Sequence, residues 1–222
     1  MKTQVHLKPA LDFLADLAVN NNRAWFTENR ERYDQARTAF EMLVESLIAE
    51  LEKAQDLGGI TARDCMMRIH RDMRFSRDKT PYRINFGANI VAGGRKSGRL
   101  GYYIHLQPGD QSFIASGLYE PGSDQLARFR QAIARDASAF NKIVKARLFV
   151  KNFGAVGGER LSRVPRGYPP DHPEIELLRL KQVLVMHPVA DRDITSPDFA
   201  KQTLLVCKAM KPFIDYMNSV IA

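Results

Sequence analysis

The chain reads as α+β: a central antiparallel sheet packed against long N-terminal and C-terminal helices, in a single domain over residues 1–222. Three observations predict this. Near both ends, apolar residues recur at intervals of three and four, the period of a helix with one buried face. Between residues 60 and 118 the pattern changes to short runs rich in Ile, Phe and Tyr, bounded by Gly, Pro and Asp, as strands are. The links between those runs are shorter than the roughly dozen residues that a parallel crossover needs.

The length of 222 residues suffices for one well-buried core. Apolar content of 45% and charged content of 26% are those of a soluble globular chain. A net charge of +8 and a pI near 9.6 point to anionic partners.

The elements follow in order. Residues 9–19 form a short helix, with Pro9 in its first turn and Leu11, Leu14, Leu17 and Ala18 on one side. Asn20, Asn21 and Asn22 break it and cap the next helix. That helix runs from about residue 22 to 55 on a stripe of Trp25, Phe26, Tyr33, Ala36, Phe40, Leu43, Val44, Leu47, Ile48 and Leu51. Trp25 is read as a core anchor.

Strands are expected at 65–75, 84–92, 100–107 and 111–118. Gly93-Gly94-Arg95-Lys96 joins the second and third as a flexible basic hairpin tip; it lacks the spacing of a phosphate loop. Pro108-Gly109-Asp110 is a tight hairpin turn. In the third strand Tyr102, Ile104 and Leu106 share one face, and Tyr103, His105 and Gln107 the other.

Ser123 caps a helix that turns Leu126, Phe129, Ile133 and Ala137 inward, and a second restarts near Ser138 with Phe140, Ile143, Val144 and Leu148. Residues 152–173 are rich in Gly and Pro, a long loop expected to fold back across the charged stretch described next. A short helix to about Lys181, a strand at 182–188 and a helix opened by Ser196-Pro197-Asp198 complete the chain. Pro212 is expected to kink that last helix.

One stretch carries the chemistry. Residues 68–83 hold six Lys or Arg and two Asp, which is half of the formal net charge. Read as a strand, residues 65–75 place Met67, Ile69, Arg71, Met73 and Phe75 on one face and Arg68, His70, Asp72 and Arg74 on the other. Like charges two residues apart repel unless an anion lies between them, and Asp72 neutralises only one. Ser76, Asp78, Thr80 and Pro81 make a turn, with Thr80-Pro81 opening a helical turn.

The stretch therefore proposes Arg68, Arg71, Arg74, Lys79 and Arg83 as binders of a phosphorylated or carboxylated small molecule. Asp72 would orient an arginine or act as general base, and Tyr82 or His105 would donate a proton. Tyr119, in a loop at a strand end, and Arg163, in the long loop, join the ligand-binding candidates. Two other readings stand beside this one. The basic loop at 93–99 and the basic helix near 142–151 would suit the backbone of a nucleic acid. The Arg/Asp network could instead tie strand, turn and loop together without a ligand. Whether a reaction occurs at all stays open between these readings.

The same residues resemble the signature of a widespread bacterial family, domain-of-unknown-function family 2461. The likeness lies in Arg68, Arg71, Asp72, Arg74 and Phe75, then Lys79, Pro81 and Tyr82. Where that family often has Lys after the Tyr, this chain has Arg83. Asn21, Asn22, Arg23, Trp25, Phe26 and Asn29 are similar too, as are Gly117, Tyr119 and Pro121. So are Leu161, Arg163, Pro165, Gly167 and Tyr168, with His172-Pro173. The resemblance implies a fold neighbourhood and a motif, and no reaction.

Patterns for zinc, a dinucleotide and a serine nucleophile elbow are absent, and five scattered histidines argue no metal site, so no metal or cofactor is expected. Cys65 and Cys207 sit in apolar segments and read as reduced core residues. With no leader pattern and no long apolar run, the expectation is a cytoplasmic protein with no membrane contact; its oligomeric state is left open.

Overall fold

The structure, a computed structural model, describes residues 5–72 and 79–221. Ten helices and a four-stranded antiparallel sheet make the described chain α+β, with strand order β1-β2-β3-β4. The chain divides into two compact units. The first takes the described residues within 1–98, 102–114 and 188–205; the second takes 99–101, 115–187 and those within 206–222.

In the first unit, α1 (Lys8–Val19) starts on Pro9 and buries Ala10, Leu11, Phe13, Leu14 and Leu17; Ala18 is exposed. Asn22 then caps α2 (Arg23–Glu28) by accepting the Trp25 N–H at 3.0 Å. The long helix expected over 22–55 is in fact two, because α3 (Arg30–Leu51) begins after a break at Asn29. There the Asn29 backbone N–H and side-chain amide both donate to the Trp25 carbonyl, each at 3.0 Å. Asparagine competes in this way with helix continuation. α3 buries Ala36, Phe40, Leu43, Val44, Leu47, Ile48 and Leu51. Each large member of that stripe contributes about 1.5–3 kcal/mol by leaving water. Trp25 is half-buried, its ring 5.8 Å from that of Phe13.

Over its described part, residues 65–72, the strand expected at 65–75 is not regular. Its start is taken by a one-turn helix, α4 (Ala62–Cys65), because Asp64 accepts both the backbone N–H and the hydroxyl of Thr61. Those bonds hold the Asp64 carboxyl below its ordinary range. Glu45 of α3 takes the Ala62 N–H at 2.7 Å. Beyond α4 only the bridges Met66↔Ala88 and His70↔Tyr82 remain, and residues 73–75 lie outside the described residues. The basic loop is not a loose tip either. Arg95 donates through its guanidinium to the carbonyls of Arg63 and Asp64, at 2.9 and 2.8 Å, and through its backbone N–H to Asp64. It closes the carbonyl end of α4.

β1 (Phe86–Ile90) pairs with β2 (Tyr102–Leu106) in antiparallel register from Phe86↔Leu106 to Ile90↔Tyr102. Tyr102, Ile104 and Leu106 are buried and Tyr103 and His105 half-buried, the alternation expected of them. β3 (Ser112–Leu118) follows a turn in which Gly109 and Asp110 both have positive φ, 81° and 58°. The Asp191 carboxylate accepts the N–H groups of both, and Asp110 accepts that of Asp191, tying the turn to α9 (Asp191–Ile194).

In the second unit, the end of β3 lies against β4 (Val183–Val189) so closely that a Cβ on Gly117 would sit 1.9 Å from the Val183 oxygen. α5 (Ser123–Arg135) is capped one residue earlier than expected, by Gly122, whose N–H reaches the Gln125 side chain at 3.2 Å. The helix expected from Ser138 breaks into α6 (Ser138–Val144) and α7 (Arg147–Phe153), with Ala146 extended between them. Leu148, on α7, is exposed.

The long loop finds partners in its own unit: Gly157 bridges Leu184 and Arg160 bridges Leu180, beside the short α8 (Ile175–Leu178). The Arg130 guanidinium donates to the Leu178 and Leu180 carbonyls, and that of Arg179 to those of Leu161 and Ser162. α10 (Phe199–Ile221) runs on through Pro212, and in the second unit its Phe213 and Tyr216 rings pack on Phe140.

Both cysteines are buried, and burial pushes their thiols up, Cys65 to about 11 and Cys207 to about 12. Among the described residues, no helix is long and apolar enough to cross a membrane.

Candidate anion site

The described ends of the charged stretch, residues 68–72 and 79–83, pair as a short antiparallel ribbon. Arg71 N–H donates to the Pro81 carbonyl at 3.0 Å, and Arg83 N–H to the Ile69 carbonyl at 2.8 Å. These bonds flank the pair His70↔Tyr82. In such a pair the side chains approach closely and the backbone polar groups point outward. The rings of His70 and Tyr82 are accordingly 5.2 Å apart.

Tyr82 anchors the ribbon. It is 6% exposed and stacks on Phe26 at 3.9 Å and 12°. Its outward N–H donates to the Asn21 oxygen at 3.1 Å, and its carbonyl accepts from the Asn21 amide at 2.9 Å. One carboxamide thus does for Tyr82 what a further strand would do. Asn21 and Phe26, some sixty residues upstream, are therefore part of the same construction as Pro81 and Tyr82.

Around this anchor the cations divide into two kinds. Arg71 is half-buried, and its guanidinium donates to the Thr80 hydroxyl. Thr80 does not open a helical turn as expected, because the next N–H groups, those of Tyr82 and Arg83, go to Asn21 and Ile69. Arg68, Asp72, Lys79 and Arg83 are exposed. Among the described residues, the guanidinium groups of Arg68 and Arg83 have neither a hydrogen bond nor an ion pair. Ile69 is buried while Arg68, His70 and Asp72 are exposed, the difference in burial that the alternation predicts. Met67, expected in the core, is exposed, and Met66 is buried in its place, because the bridge to Ala88 falls on Met66. Arg74 lies outside the described residues, with Ser76 and Asp78.

His105 belongs to the same unit. Its Nδ1 lies 3.2 Å from the Tyr103 hydroxyl and 3.4 Å from the Asn85 amide, and its Nε2 lies 3.0 Å from the Gln107 oxygen. One tautomer satisfies all three, with Nε2–H donating to Gln107 and Nδ1 accepting. Burial holds the imidazole below its ordinary range, with the Gln107 bond opposing more weakly.

Tyr119 is 66% exposed at the end of β3, and Arg163 is exposed in the long loop; both belong to the second unit. The first unit thus brings together Arg68, Arg71, Asp72, Lys79, Tyr82 and Arg83 on one ribbon.

Sequence reasoning missed Asn21 as a backbone clamp and read Tyr103 only as a face-mate of His105. It also passed over Gly87, where a Cβ would fall 2.7 Å from the Tyr103 hydroxyl. A glycine inside a strand is the signal for such a close approach.

A family of conserved hypothetical proteins, domain-of-unknown-function family 2461, matches residues 9–216. No curated protein and no solved structure matches the chain.

Proposed function

We propose, from the premise that the chain belongs to domain-of-unknown-function family 2461, that the ribbon binds a small phosphorylated or carboxylated molecule. The observation that carries this is the pair of exposed arginines, Arg68 and Arg83, without a carboxylate partner among the described residues, on a clamped backbone. Exposed arginines on a mobile loop lose side-chain and backbone freedom when they bind. Here the ladder bonds and the Asn21 clamp have already removed the backbone part of that loss. Arg is suited to bidentate contact with a phosphate or carboxylate, and Lys79 adds a point charge. Asp72 sets the orientation of the neighbouring cations.

Thermal melting of the parent and of an Arg68→Ala/Arg83→Ala variant, against phosphate, sulfate, sugar phosphates, dicarboxylates and short oligonucleotides, tests the reading. Both positions are exposed, so the unliganded variant should melt within about 1–2 °C of the parent. A ligand at a hundred times its Kd stabilises by about 2.7 kcal/mol, which for a chain of this length is roughly 5–10 °C. The parent should show that shift with one class of anion, and the variant should lose it. A shift of equal size in the variant, or none in the parent with any anion, would sink the proposal. A shift with oligonucleotides alone would move the function to nucleic acid.

A further inference from the structure

The outward side of β2 and β3 carries three aromatic rings at half-buried positions, Tyr103, His105 and Phe113. His105 lies flat on Phe113, centroids 4.4 Å apart and planes 9° from parallel. Tyr103 stands 6.0 Å from His105 and 5.9 Å from Phe113. Amides rim the cluster. Asn85 meets the His105 Nδ1, and Gln107 accepts from Nε2 and donates in turn to Gln111.

Two features go beyond what ring packing across strands requires. Both imidazole nitrogens are committed to neutral partners, and burial disfavours the cation, so the stack is an uncharged surface. Gly87, the register partner of His105, leaves the space that the Tyr103 phenol fills.

The cluster is also close, through the backbone, to the segment that carries Arg68. Met67 N–H donates to the Gly87 carbonyl at 2.8 Å, and Gly87 pairs with His105. Two strand spacings, about 10 Å, therefore separate the backbone beside Arg68 from that of His105.

We propose that this ring cluster takes the planar heterocycle of a nucleotide whose phosphate lies on Arg68 and Arg83. The inference rests on the anion reading above and narrows it to one class of ligand. Neutral rings offer a stacking surface to any base, and the carboxamides of Asn85, Gln107 and Gln111 offer donors and acceptors to its edge. A sugar phosphate has no flat ring to place there.

Isothermal titration of the full chain with inorganic phosphate, ribose 5-phosphate, adenosine, adenosine monophosphate and uridine monophosphate tests it. One nucleotide should bind more tightly than ribose 5-phosphate by roughly 5- to 150-fold, the usual worth of one base on an aromatic platform. Phe113→Leu should erase that margin and leave ribose 5-phosphate unchanged. Gly87→Ala, which crowds the phenol from the other side, should reduce the margin even if Phe113→Leu does not fold. Arg68→Ala/Arg83→Ala should weaken both phosphates and preserve their ratio. Equal affinity for ribose 5-phosphate and the nucleotides would overturn the ring subsite and leave the anion site standing. A margin untouched by both ring variants would overturn it as well. Adenosine binding as tightly as its monophosphate would instead overturn the anion site and keep the ring subsite. No binding by any compound would overturn both.

Discussion

Replacing Asn21 by alanine should loosen the ribbon from a distance of sixty residues in sequence. The carboxamide makes two hydrogen bonds, at 2.9 and 3.1 Å, to the outward backbone groups of Tyr82. Each contributes about 1 kcal/mol net. Tyr82 is buried, so where water cannot replace the amide, each orphaned group costs about 1–3 kcal/mol instead. The expected loss is therefore about 2 kcal/mol at the least. For a chain of this length that lowers Tm by roughly 4–8 °C. Asn21→Asp is the informative partner. It keeps an acceptor for the Tyr82 N–H but sets a carboxylate oxygen against the Tyr82 carbonyl, so it should be at least as damaging at neutral pH. In acid the protonated carboxyl becomes a donor again, and part of the loss should return. Urea melts of the three proteins at two pH values make the comparison, and amide exchange locates it: the Arg71 and Arg83 N–H groups should exchange faster in both variants. An alanine variant within about 1 °C of the parent, with those two amides equally protected, would refute the clamp.

Gly117→Ala should cost roughly 3 kcal/mol or more, read as a large Tm drop or loss of soluble protein, because its Cβ would fall 1.9 Å from the Val183 oxygen at φ 129°. Gly58→Ala, also at positive φ but with nothing within 4 Å, should cost only about 1–2 kcal/mol. His105 should titrate below the ordinary histidine value of about 6.5 in an NMR titration. As pH falls below that value, the unfolded chain takes a proton that the folded chain refuses. His105 thus lowers stability progressively until the folded pKa is passed, and His105→Gln should flatten that part of the pH–stability curve.

Much of the architecture is legible in local pattern. The stripe on α3, the alternation in β2 and the turn at Gly109-Asp110 each follow from residues a few positions apart, and each forms as read. Two of the departures share one cause. α3 begins late because Asn29 finds the Trp25 carbonyl, and residues 62–65 coil into α4 because Thr61 and Asp64 satisfy each other. In both places a polar side chain takes a backbone group that the apolar period had assigned to a longer element.

The candidate site divides along the same line. Sequence by itself determined which residues carry charge and that they lie close together between positions 68 and 83, since spacing and residue type need no tertiary knowledge. The tertiary structure alone decided which of them are exposed and which are spent. Arg71 is tied to Thr80 and Arg95 to α4, while Arg68 and Arg83 stay open to solvent. It also decided that Tyr82 is a core ring, stacked on Phe26 and clamped by Asn21. A hydrogen bond between residues 21 and 82 depends on how the chain closes over itself, and no local period records that closure.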